Sequence, residues 1–341
     1  MYDLIIIGGG PSGLAAALSA KRLALNYLLI ERGVVAETIH NYPIAKRLFS
    51  TSNEVELESY ALPREAKPSR EEVIAHYENI VARERLNIHT NEEARSIIPL
   101  VNEFRVVTNR AEYEAHKVLV AIGGFGRQRK LNVPGETPLR VSYRFVEASP
   151  FAQKAVLIVG GGNSAAEAAL FLAQAGAKVS LSLRRPSLDG FVEMDSVGLS
   201  TRTAAVKIKP WVRDPLERAA SEGKIAIYTS SQIVEILPHS ALLCISGEES
   251  HKIIEVECDH IFALIGADPD TRLLEAAGVE IAADGRPVYS PDSFETNLAG
   301  LYVAGHLTRE LHMKKAIEVG RRVVEHIASK IYEESYSMAS D

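Results

Sequence analysis

Two glycine turns, 152 positions apart counting Gly8 to Gly160, each have the residues to cradle a pyrophosphate, and they lead to residues of opposite charge. The first, Gly8-Gly9-Gly10-Pro11-Ser12-Gly13, comes after the apolar run Leu4–Ile7 and leads to Glu31. The second, Gly160-Gly161-Gly162-Asn163-Ser164-Ala165, comes after Ala155–Val159 and leads to Arg184-Arg185. Glycines here let the backbone approach a diphosphate, and the helix that opens behind them offers unpaired N–H groups and its positive dipole end. An acid at the end of the next strand accepts hydrogen bonds from an adenosine ribose, whereas guanidinium forks suit a 2′-phosphate. The residues therefore predict two different dinucleotides on one chain, with NADPH rather than NADH at the second turn.

Each turn needs a strand before it and a helix after it, and the sequence supplies both. The first unit reads as strand Asp3–Ile7, helix Gly13–Leu23 and strand Tyr27–Glu31; the second as strand Ala155–Val159, a helix to Ala175, Gly176 as its stop, and strand Lys178–Leu183. The irregular stretch 32–68 is too long for a simple connector, which points to a role at a ligand. Ser69-Arg70-Glu71-Glu72 has the form of a capping box opening a helix through Arg85. Short β-rich runs come next at Ala94–Pro99 and Phe104–Thr108. Lys117–Ile122 reads as a buried strand ending at Gly123, and Asp259–Gly266 echoes it. Leu301–Gly305 gives a last strand, 314–331 an amphipathic closing helix, and 332–341 a polar, mobile tail.

At 341 residues, 46% hydrophobic and 24% charged, the chain is sized for two ordinary globular domains. A net charge of −6 gives no reason to expect nucleic-acid binding. The apolar stretch 4–20 is broken by its glycines, so no membrane span is expected, and Met1-Tyr2-Asp3 leaves no room for a cleaved signal peptide. Two cysteines, Cys244 and Cys258, 14 positions apart on strand-like segments, read as buried structural thiols in a reducing cytoplasm. No metal site is expected.

With these motifs in view the chain resembles the flavoproteins with two dinucleotide-binding domains, in their thioredoxin-reductase-like branch. The resemblance rests on Gly8–Gly13 with Glu31, on Asn41-Tyr42-Pro43, on Ala121-Ile122-Gly123, on Gly160–Ala165 with the arginine pair, and on Leu301–Gly305. Within that branch it looks most like the bacillithiol disulfide reductases of the YpdA type, through His40–Pro43 with Leu48–Ser52, Asn132–Glu136 and Ile208–Trp211. It implies an α/β fold of two Rossmann-like domains of the pyridine nucleotide-disulfide oxidoreductase type. An FAD domain (1–122 and 267–341) would carry an inserted NADPH domain (123–266). It also implies a cytoplasmic homodimer, with FAD held by Gly8, Gly10, Ser12, Gly13, Glu31, Asn41, Tyr42, Gly123, Gly305, His306, Lys315 and Ala316. NADPH would be held by Gly160, Gly162, Asn163, Ser164, Ala165, Arg184 and Arg185. Tyr42 and His312 are the candidate catalytic side chains, His312 as a proton donor or a structural histidine. The helix beginning near Lys315-Ala316 would point its N-terminus at the flavin.

Three departures from the family narrow the acceptor. The chain has no C-x-x-C dithiol, it has Ser12 where the bacillithiol reductases place a loop cysteine, and it has His306 where relatives place the acid of an Ala-Gly-Asp motif. A serine cannot form a mixed disulfide. The leading expectation is an NADPH-dependent FAD oxidoreductase that reduces a low-molecular-weight disulfide directly. A ferredoxin- or flavodoxin-type electron carrier is the alternative acceptor, and a non-catalytic flavin-bound scaffold a second alternative. Trp211, flanked by Lys209 and Arg213, reads either as an exposed docking platform or as a core residue. The F-x-G-x-x-x-H signature of flavin monooxygenases is absent, since no such histidine comes after Phe125-Gly126.

Overall fold

The computed structural model describes residues 1–57, 60–62, 67–188, 208–247, 250–310 and 312–340, without the side chains of 334–340. The chain divides into two compact units, 1–127 with 267–341, and 128–266.

In the first unit the strands Ile88–His89, Tyr27–Ile30, Tyr2–Ile7 and Glu112–Val120 lie in that order, all parallel, and the sheet continues antiparallel through Phe104–Thr108 and Ala94–Pro99. The strand Leu301–Val303 returns to pair in parallel with Val118–Val120. A sheet covered on both faces needs strands that are apolar throughout. Tyr2–Ile7 shows this: Leu4 and Ile6 enter the core on one face, Ile5 and Ile7 the core on the other. The helix Pro11–Arg22 packs on the first face beside the closing helix Met313–Ser340. They meet backbone to backbone, since a Cβ at Gly320 would lie 2.1 Å from the Ser12 carbonyl oxygen. The tail expected to be mobile instead extends this helix to Ser340, because no glycine or proline interrupts its last turns. The Ser69 capping box forms as expected: Glu72 N donates to Ser69 Oγ at 3.2 Å and Ser69 N to Glu72 at 2.8 Å, opening the helix Arg70–Glu84.

The second unit repeats the plan with five parallel strands in the order Ile225–Tyr228, Lys178–Ser182, Ala155–Val159, His260–Ala263, Val141–Ser142. A three-stranded antiparallel sheet, Ser231–Ile236, Ser240–Ser246 and His251–Glu257, completes it. Trp211 opens the helix Pro210–Ser221 and is 51% exposed, so the core alternative for it does not hold.

His260 sits among aromatic rings in this unit, 5.1 Å from Phe151 and 4.9 Å from Phe262 by centroid, with Nε2 2.9 Å from Ser142 Oγ. Burial pushes its pKa below the ordinary value, and the charges of Arg140 and Lys154 push it further the same way. The unfolded chain therefore binds the proton first as pH falls. The stability held by the neutral ring is full above the unfolded value of about 6.5 and is lost as pH drops through it toward the folded value. Thermal melts from pH 7.5 to 5 should fall more steeply for the wild type than for His260→Gln. Equal slopes would mean that this ring does not carry the effect.

Candidate functional site

The carboxyl ends of four parallel strands meet at the first glycine turn. Gly8 N donates to Ile30 O at 2.8 Å, Ala121 N to Ile7 O at 2.7 Å and Ala304 N to Val120 O at 3.0 Å. In open α/β sheets ligands bind at this crevice. Here it holds a cavity of about 390 Å³, within the first unit.

Glycine is required at two points of the turn by backbone contact. Gly8 has φ +113°, and a Cβ there would lie 2.5 Å from Ala121 O; at Gly13 it would lie 1.8 Å from Gly8 O. Gly10 differs: as the N-cap of the helix it has φ −77°, and nothing stands within 4 Å of a Cβ built on it. Gly123 likewise faces open space at φ +78°. Both line the cavity, so the protein leaves room at the places where a ligand would press on the backbone.

Glu31 closes the far side of the turn. It is 7% exposed, and its two carboxylate oxygens accept from Gly9 N at 2.6 Å and Gly33 N at 2.8 Å. The Ser12 hydroxyl is buried in the cavity wall and has no hydrogen-bond partner among the described residues. A buried hydroxyl left unpaired costs about 1–3 kcal/mol, so it calls for a ligand atom. The cradle, the acid and this hydroxyl all fit an FAD.

Of the other residues expected at FAD, Tyr42, Gly305, His306 and Ala316 line the cavity. Gly13 lies behind the turn as its steric hinge. Asn41 does not line the cavity, and its amide donates to Glu37 O at 2.9 Å. Lys315 is exposed and pairs with Glu318 at 3.3 Å, and His312 is exposed just before the closing helix; neither lines the cavity. The helix period explains this: Met313 and Ala316, three apart, face the cavity, which turns 312, 314 and 315 outward.

Glu92, Phe125 and Met313, which the sequence did not assign to the site, also line the cavity. Glu92 is 2% exposed and accepts from Thr108 Oγ1 at 2.7 Å, although its setting, Asn91-Glu92-Glu93, has the polar look of a surface connector. Its carboxyl is held below the usual range by hydrogen bonds from Thr108 and Tyr113, which outweigh the burial that pushes the other way. Phe125 stands edge-on to the His306 ring at 5.7 Å.

The second turn, in the other unit, is built alike. Gly160 has φ +151°, with a Cβ position 2.4 Å from Leu264 O and 3.1 Å from the buried Ala165 Cβ. Gly162 is the helix N-cap, and like Gly10 it has no atom of the described residues within 4 Å of a Cβ built on it. Ser164 is exposed, and Asn163 Oδ1 accepts from Lys209 N at 2.8 Å. The arginine pair splits: Arg184 is exposed, whereas the Arg185 guanidinium folds over the turn and donates to Gly161 O. Burial lowers the pKa of Arg185. A partly desolvated cation on a glycine turn suits a phosphate-bearing ligand.

Neither cysteine is among the residues that line the cavity. Cys258 is fully buried, and burial pushes its pKa up to about 11; Cys244, expected to be buried, is half-buried on an antiparallel strand. Among the described residues no helix is long and apolar enough to cross a membrane.

Comparison with known proteins agrees with this geometry. A family model described as pyridine nucleotide-disulphide oxidoreductase matches residues 5–305. The bacilliredoxin reductase Bdr of Bacillus subtilis is 32% identical over 331 residues, 96% of each chain. A ferredoxin–NADP reductase of Ignicoccus hospitalis is 26% identical over 313 residues, 90% of each. Among solved structures, the bacillithiol disulfide reductase Bdr (YpdA) from Staphylococcus aureus superimposes with a TM-score of 0.86 at 28% identity, covering 96% of this chain and 98% of that one.

Proposed function

This chain belongs to the pyridine nucleotide-disulphide oxidoreductase family, and from that premise we propose that it takes electrons from NADPH through FAD and delivers them directly to a low-molecular-weight disulfide. The single observation carrying the reading is the pair of unlike glycine turns, one closed by a buried acid and the other by an arginine.

In the first unit the turn 8–13 would hold the diphosphate of FAD, Glu31 its ribose, and the Ser12 hydroxyl would pair with one of its oxygens. In the second unit the turn 160–165 would hold NADPH, with Arg184 and Arg185 serving its 2′-phosphate. When bound, the flavin supplies two-electron chemistry between a nicotinamide and an acceptor. The chain's own residues bind and orient. The first turn of the closing helix lines the cavity through Met313 and Ala316, and the positive end of a helix favours negative charge near it. Tyr42 walls the cavity with the Lys46 ammonium 5.4 Å from its ring centroid. Reducing a disulfide to two thiols consumes two electrons and two protons. The titratable ring placed to hold a proton at the cavity is that of His306, not His312.

No protein thiol takes part. The relatives' names give two acceptor types, bacillithiol disulfide and the protein bacilliredoxin, and the Ignicoccus relative is named for ferredoxin, which favours a carrier protein as the second reading. With Ser12 in the loop and Cys258 buried, acceptors are reduced without a covalent enzyme intermediate, in the reducing cytoplasm where free thiols persist. The variant Cys244→Ser/Cys258→Ser should retain wild-type turnover with NADPH and a small disulfide. Loss of turnover in a protein that still binds FAD would overturn the thiol-free route. Parallel assays with bacilliredoxin and ferredoxin decide the acceptor; turnover with ferredoxin and none with disulfides would favour the carrier reading.

A further inference from the structure

Behind the turn that carries His306 to the cavity lies Arg286. It is half-buried in a narrow hairpin where Ala282 N donates to Arg286 O at 2.8 Å and Ile281 bridges Pro287. Its Nη1 donates to three successive carbonyls of the turn, His306 O at 2.7 Å, Leu307 O at 3.4 Å and Thr308 O. The same hairpin grips the next residue. Asp284 pairs with the Arg309 guanidinium at 3.1 Å, and the Tyr289 hydroxyl accepts from Arg309 N at 3.2 Å.

Carbonyls at the end of a short 3₁₀ turn have no partner within it. Leu307 and Thr308 are fully buried here, so water cannot serve them. A guanidinium donor in such a place makes hydrogen bonds about twice as strong as neutral ones. Gly124 also packs closely on the turn, since a Cβ there would lie 2.7 Å from His306 O. The backbone of His306 is thus bonded by Arg286 and packed against Gly124 while its ring lines the cavity beside Phe125.

We infer that Arg286 is a positioning residue: the hairpin 281–289 clamps the turn 305–309 so that His306 meets the bound FAD in one fixed orientation. The inference rests on the assignment of the cavity to FAD. The test measures FAD affinity by flavin fluorescence, the flavin midpoint potential and the melting temperature for wild type, Arg286→Met, Arg286→Lys, His306→Ala and the two double variants. Arg286→Met should weaken FAD binding roughly tenfold or more and shift the potential, while Arg286→Lys, which keeps the charge, recovers much of both. In the His306→Ala background either Arg286 substitution should add little, because both act through one turn. A role confined to stability would lower the melting temperature without this non-additivity. FAD affinity within about twofold of wild type in Arg286→Met, or effects that add in full, would overturn the clamp. If Arg286→Met does not fold, Arg286→Gln, which also removes the charge, takes its place in the cycle and is read by the same criteria. Wild type that binds no FAD would overturn the underlying assignment instead, and the clamp with it.

Discussion

Gly13→Ala should purify without flavin and melt well below wild type, whereas Gly10→Ala should fold normally and still lose flavin. The two glycines stand three positions apart in one turn and fail for different reasons. At Gly13 the new methyl would sit 1.8 Å from the Gly8 carbonyl oxygen, a backbone atom that cannot rotate away, so the turn itself must open. At Gly10 the protein offers no atom within 4 Å and φ is −77°, so alanine fits the apoprotein without strain. The methyl then stands in the space reserved for the ligand. Overpacking of this kind costs about 1–3 kcal/mol, which is on the order of tenfold in FAD affinity. The ratio of flavin to protein absorbance and the melting temperature of the apoprotein separate the outcomes. Full flavin in Gly10→Ala would remove the cavity from consideration as the FAD cradle.

The second large effect is expected at the arginine pair. Arg184→Ala/Arg185→Ala should lower kcat/KM for NADPH on the order of 100-fold or more while changing that for NADH little, since charge-assisted hydrogen bonds are worth about 1.5–3 kcal/mol each. The loss should fall mainly on KM, because the 2′-phosphate is bound equally in ground and transition states. Arg184→Ala alone removes an exposed cation. Arg185→Ala also releases the guanidinium that now rests on Gly161, so the second turn gains freedom along with the lost charge. An unchanged NADPH-to-NADH ratio in the double variant would show that neither arginine reads the phosphate.

The parts of the fold legible in the sequence are those set by local physics. A strand buried on both faces must be apolar throughout, so Leu4–Ile7 and Ala155–Val159 were readable, as were the glycines where another backbone closes in. Glu31 was readable because strand length fixes where the acid must fall. Contacts made only by tertiary folding were not. Glu92 and Phe125 reach the cavity from segments whose local pattern is that of a connector and a glycine turn. Arg286 reaches the His306 turn from a hairpin 20 residues away. The misplacement of His312 and Lys315 came from helix phase, since a shift of one residue turns a side chain about 100° around the axis. The start of the helix was expected within one residue of where it stands, yet its cavity face is set by Met313 and Ala316.

Electrons enter this protein from NADPH and reach a flavin that the chain itself holds; the rest of the mechanism depends on that route. It is probed most directly by anaerobic stopped-flow mixing of the flavin-loaded protein with NADPH and, in parallel, with NADH, tracking the flavin absorbance band. Stoichiometric NADPH should bleach the band completely, and NADH should do so far more slowly at the same concentration. A band that NADPH leaves unbleached, or that NADH bleaches equally well, would refute the route.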